Sequence, residues 1–108
     1  MTMGRKLRQG DTNMAAYVVI VTGEISNPEL MNQYKEQAQY LLGTQGVSFM
    51  AGPVVAETLE GSPPKGAVII RFAFLEEAQS WYRSDEYQKL ASMRLSASTS
   101  AAFIVEGT

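Results

Sequence analysis

The alternation of apolar and polar positions changes period repeatedly along the chain, and each change marks an element. At 17–25 the run YVVIVTGEI is β-branched and apolar on consecutive positions, which predicts a strand covered on both faces. SNPEL at 26–30 is a helix start: Ser26 or Asn27 caps, Pro28 suits the first helical position, and Glu29 sits in the positive first turn. Leu30, Tyr34, Ala38 and Leu41 then recur at the helical period, so the helix runs to about Leu42 with Gly43 as its C-cap. A second strand is expected at 47–51. Gly52 and Pro53 break or bulge it, and it resumes at 54–59. EGSPPKG at 60–66 is a turn, followed by a third strand at 67–72 that is apolar apart from Arg71. Residues 74–83 are helical, with Leu75, Ala78 and Tyr82 on one face. Ser84, followed by Asp85 and Glu86, starts a second helical segment that reaches about Ala97. A last strand is expected at 101–106.

The order is therefore β-α-β-β-α-β, with crossovers long enough for helices and a hairpin in the middle. That is the α+β, ferredoxin-like arrangement, a four-stranded antiparallel sheet with both helical connections on one face. The other face keeps apolar residues at alternating positions. An unmatched face of this size predicts a partner, and a second copy packed sheet against sheet, forming a dimeric α/β barrel, is the simplest one.

Composition narrows the chemistry. A chain of 108 residues suits a single domain, expected at 14–108. The polar segment 1–13, MTMGRKLRQGDTN, is expected to be a mobile extension, with Met14 an alternative start. Net charge is −2, which gives no reason to expect nucleic acid or an anionic membrane as a partner. The chain has no Cys and no His, which removes thiolate nucleophiles, imidazole bases and His–Cys metal sites. No metal or other cofactor is expected. No apolar run approaches a membrane span, and a cytoplasmic protein is the default expectation.

Across residues 15–107, the segments AAYVVIVTGEISNPELMNQY, LEG at 59–61, IIRFAFLEEAQSWYRSDEYQ, Arg94 and the closing VEG resemble domain of unknown function family 1330, of the dimeric α/β-barrel superfamily. SWYRSDEYQ is the most specific part. The resemblance implies the ferredoxin-like fold and a homodimer, but no defined reaction. One departure matters: where the family's second strand often ends Arg-Gly-Gly, this chain has Ala51-Gly52-Pro53, so any ligand role of that Arg does not carry over. In the superfamily small hydrophobic ligands lie between sheet and helices, and its members include cofactor-free monooxygenases, lactone isomerases and haem enzymes. The haem route lacks a His here.

Six residues are candidates for a ligand site. Arg94 falls on a helix with Tyr87, Leu90 and Ala91 at i−7, i−4 and i−3, so it lies on or beside the sheet-facing side. A guanidinium there needs a carboxylate, a carbonyl or an anionic ligand, or must reach water along its stem. Arg71 poses the same question on a strand. An ion pair with Glu57 or another hairpin acid is the plainer reading, and a small anion held jointly by Arg71 and Arg94 is the sharper one. Tyr34, Trp81, Tyr82 and Tyr87 form an aromatic set that either fills the core or walls a pocket. Three functional classes stay open: a protein binding a small anionic or aromatic molecule, a cofactor-independent oxygenase or isomerase, and a purely structural or interaction domain.

Overall fold

The computed structural model describes residues 14–107. Strand β1 (Ala15–Ile25) leads to helix α1 (Pro28–Gln45), strand β2 (Ser48–Ala51), strand β3 (Gly66–Phe72), helices α2 (Leu75–Arg83) and α3 (Asp85–Ala97), and strand β4 (Ser98–Gly107). The sheet order is β2-β3-β1-β4, with all neighbours antiparallel. Strands β3 and β1 lie in the middle, β2 and β4 form the edges, and the helices cover one face. Ala16, Val18 and Ile20 of β1, with Ile70 and Phe72 of β3, are buried there against Met31 and Tyr34 of α1, Trp81 of α2 and Tyr87 and Ala91 of α3.

Local chemistry accounts for the helix ends. Asn27 caps α1 through its side chain, accepting from the Leu30 N–H at 3.1 Å, with Pro28 at the first position. Ser84 closes α2 and opens α3: its Oγ accepts from the Tyr87 N–H at 3.2 Å and donates to the Trp81 carbonyl at 2.8 Å. The expected break between the two segments is therefore present. It turns α3 so that Tyr87, Leu90, Ala91 and Arg94 all face inward and are buried.

Several expectations are corrected. Helix α1 runs through Gly43 to Gln45, and its cap is Gly46, in the left-handed region at φ 66°. Its buried positions are Met31, Tyr34 and Leu42, while Leu30, Ala38 and Leu41 are only partly buried against the core. Strand β4 begins at Ser98, earlier than expected. Residues 54–59 do not resume the second strand. The register shifts between Phe49 and Ala51, and Gly52 then adopts φ 113°, where a Cβ would stand 2.1 Å from the Ala67 carbonyl oxygen. Pro53 has no N–H to give the ladder. The chain leaves the sheet at this point and returns at Lys65. The loop is pinned at both ends by Ala67 N–H to the Pro53 carbonyl at 3.1 Å and Lys65 N–H to the Thr22 carbonyl at 2.7 Å. The extension expected at 1–13 lies outside the described residues.

The open face of the sheet carries three cross-strand rows: Arg71–Tyr17–Val105, Ile69–Val19–Phe103 and Ala67–Val21–Ala101. Apart from Arg71 and the Tyr17 hydroxyl these are apolar. Phe103 and Val105 are about half exposed.

Candidate functional site

Five of the six candidate residues meet beneath the helices. Tyr87 is the hub. Its ring lies 4.3 Å from that of Trp81, 5.4 Å from that of Tyr82 and 6.4 Å from that of Tyr34, the last edge-on at 71°. Phe72 extends the stack beyond Trp81 at 5.5 Å. The hydroxyls of Tyr34 and Tyr87 are hydrogen-bonded at 2.7 Å, and the Trp81 Nε1–H donates to Gln45 Oε1 at 2.8 Å. The Arg94 guanidinium stands over the Tyr34 ring, 5.9 Å from its centroid, and its Nη1 donates to Ser100 Oγ.

Arg71 is not part of this group. In register with Tyr17 and Ser48 it occupies the face opposite Ile70 and Phe72, and it is exposed. A joint Arg71–Arg94 anion site is thus ruled out by the pleat, since successive side chains point to opposite faces. No ion pair joins Arg71 to Glu57, which lies in the loop that replaced the expected strand.

Arg94 is 1% exposed, yet no acidic side chain among the described residues pairs with it. Glu106 faces the same side of β4 as Ser100, but six residues along a strand is about 20 Å. Burial works against the charge of Arg94, and the hydroxyls of Tyr87 and Tyr34 outweigh it, so the net direction of its pKa is upward and the group stays cationic. Its Nε–H is buried and has no acceptor. The cluster is short of acceptors generally. A guanidinium only donates, and of two paired tyrosine hydroxyls only one can donate to the other, leaving the second proton to find an acceptor elsewhere. Burial, then the neighbouring Tyr87, pushes the Tyr34 hydroxyl above its ordinary pKa, so it holds its proton.

Open space adjoins these groups. A cavity of about 290 Å³ lies between β1, β3, α1 and the 52–65 loop, walled by Ile20, Met31, Tyr34, Val54 and Arg94 among others. A second, of about 180 Å³, is walled by Leu42, Phe49, Ile70, Trp81 and Tyr87. Ile20, Tyr34, Lys35, Pro53 and Val68 line both. Tyr82 lines neither. It faces a small depression with Val18 and Phe103 at the β4 edge.

Lys35, Lys65, Phe49 and Ser100 were not among the sequence candidates. Lys35 falls outside the buried stripe of α1, and Lys65 is one residue of a turn. Only the folding of the 52–65 loop over the sheet brings Lys65 to the same cavity as Lys35.

The element order, sheet topology and one-sided helical layer define an α+β protein of ferredoxin-like fold. Residues 15–108 match the model of the family described as Domain of unknown function (DUF1330), and the chain belongs to that family. Two solved structures share the fold. One is a dimeric protein of unknown function and ferredoxin-like fold from Bacteroides fragilis NCTC 9343, with TM-score 0.59, 17% identity, and coverage of 86% of this chain and 95% of that one. The other is a conserved protein from Methanosarcina mazei Go1, with TM-score 0.55, 13% identity, and coverage of 88% and 93%. No curated protein matches the chain. Among the described residues, no helix is long and apolar enough to cross a membrane.

Proposed function

We propose that the protein is a homodimer of ferredoxin-like subunits, each binding a small organic anion in the cleft between α1, the 52–65 loop and the sheet. One observation carries the ligand reading. A buried, charged Arg94 lines a cavity, lacks a carboxylate partner and has an unpartnered Nε–H. Taking a cation out of water costs several kcal/mol. The face of one tyrosine returns about 0.5–2 kcal/mol, and a hydroxyl acceptor about 1.5–3 kcal/mol. The orphaned donor adds a cost that an anion in the cavity would remove.

Binding suits the site better than proton-transfer catalysis. The charged side chains at the cavity wall, Arg94, Lys35 and Lys65, are all cations, and the raised pKa of Tyr34 keeps it from acting as a base near neutral pH. A purely structural domain would have closed the interior. The two adjoining cavities together fall in the ~300–1,000 Å³ range of small-molecule sites. Calorimetric titration with acetate, benzoate and inorganic phosphate, beside acetamide and benzamide, tests the reading. At least one anion is expected to bind while its neutral counterpart does not. Equal behaviour of anions and amides, or no binding by any, would overturn it.

The dimer reading rests on the open sheet face, apolar in its rows apart from Arg71 and the Tyr17 hydroxyl, and is supported by the dimeric Bacteroides fragilis structure of the same fold. Light scattering at micromolar concentration should give twice the 11.8 kDa chain mass, and Phe103→Glu should shift it toward one. A wild-type protein that scatters as a monomer would contradict this.

A further inference from the structure

The two cavities differ in character. The larger is lined by Arg94, Lys35 and Lys65 and by no Asp or Glu, in a chain whose net charge is −2. The smaller is lined by Lys35 and Gln39 and otherwise by apolar and aromatic side chains, with the rings of Phe49, Trp81 and Tyr87 in its wall. Their common wall includes Tyr34. Its ring lies under the Arg94 guanidinium, and its hydroxyl reaches Tyr87 at 2.7 Å. A cationic compartment and an aromatic compartment thus adjoin, with Tyr34 in the wall they share.

We infer that the two cavities are halves of one bipartite site, and that its ligand is an arylalkanoate, with the carboxylate beside Arg94 and the ring against Trp81 and Tyr87. This rests on the anion-binding reading above and deepens it to a ligand class. The aromatic half is large enough, since an apolar cavity of about 150 Å³ in another protein accommodates benzene. Its walls favour a ring over an alkyl chain, because offset and edge-on ring contacts add to plain apolar burial. A spacer between ring and carboxylate is needed because Tyr34 stands between the halves, with 5.9 Å from its centroid to the guanidinium and 6.4 Å from its centroid to that of Tyr87. Lys35 and Lys65 at the rim supply further positive charge, which draws anions toward the cleft.

The test is titration of the full chain with 3-phenylpropionate, hexanoate and acetate, followed by ¹H–¹⁵N spectra, which register millimolar dissociation constants. Wild type should bind 3-phenylpropionate several-fold more tightly than hexanoate and at least tenfold more tightly than acetate. Leu42→Trp, which fills the aromatic half, should weaken 3-phenylpropionate at least tenfold and leave acetate within twofold. Ala38→Leu, a smaller intrusion into the same half from α1, should act in the same direction if Leu42→Trp does not fold. If wild type binds all three acids equally, or 3-phenylpropionate is indifferent to both substitutions, the bipartite site is wrong while the anion site stands. If none of the acids binds, the anion reading itself fails.

Discussion

Arg94→Met is expected to leave the fold intact, to keep or raise the melting temperature, and to weaken carboxylate binding about 100-fold or more. Replacing a buried ion by an apolar side chain of similar length is often neutral or stabilising by about 1–4 kcal/mol, the penalty arising when a charged partner is stranded. Here no carboxylate is stranded. The groups left behind are Ser100 Oγ, on a half-buried residue of the edge strand, and the Tyr34 and Tyr87 hydroxyls, which keep their bond to each other. At roughly 4–8 °C per kcal/mol for a domain near this size, a stabilised variant would show a readily measured rise. The loss of binding follows from the removal of the buried cation of the cleft, since truncating one partner of a buried, hydrogen-bonded charge pair costs about 2–5 kcal/mol. Thermal unfolding and titration of the same sample check both halves. A variant that unfolds well below wild type, with unchanged affinity for anions, would make Arg94 an internal strut and refute its role at the cleft.

Trp81→Ala is expected to cost about 3–5 kcal/mol of stability, a large share of the ~5–15 kcal/mol that holds a typical domain together. Trp81 is 7% exposed and bridges the Phe72 ring, at 5.5 Å, to the Tyr87 ring, at 4.3 Å. Its removal opens the core into the 180 Å³ cavity it lines and detaches α2 from that stack. Trp81→Phe keeps a ring in place and loses the bond to Gln45. Because Gln45 is exposed and can turn to water, that variant should lose only about 1–2 kcal/mol. Urea unfolding followed by circular dichroism is the suitable measurement, since the chain has a single Trp and the substitution removes it as a fluorophore. A loss below about 1 kcal/mol for Trp81→Ala would show that the stack carries little of the core.

What the sequence made legible was local. Ser84 followed by two acids marked the helix break correctly, because an N-cap hydroxyl and acidic first-turn residues act within one turn. The inward placement of Tyr87 and Arg94 followed from the helical period. The end of α1 did not, because Gly43 and Gly46 are both acceptable C-caps and the choice between them depends on where the chain must turn toward β2. The run at 54–59 resembles a strand, but whether a strand forms depends on the ladder continuing past Gly52 and Pro53, and it ends there, with Gly52 at φ 113° and Pro53 lacking an N–H to give. Arg71 was placed on the wrong side in one reading for a related reason. A strand's face is set by its register, and a shift of one residue exchanges the faces. The convergence of Lys35, Lys65 and Arg94 was not legible at all. They are separated by about thirty residues each, and only the loop pinned at Pro53 and Lys65 brings them to one cavity.

In the proposed site the buried guanidinium of Arg94, with its unpartnered Nε–H, is the anion-receiving end of the cleft. The most direct measurement is the Arg94 Nε–H resonance in ¹H–¹⁵N spectra, assigned by its loss in Arg94→Met, during titration with 3-phenylpropionate and with its uncharged amide. A saturable downfield movement of that resonance is expected with the acid, as an orphaned donor gains a carboxylate, and no comparable movement with the amide. A resonance that stays in place while the acid is bound elsewhere, or that moves equally with acid and amide, would contradict it.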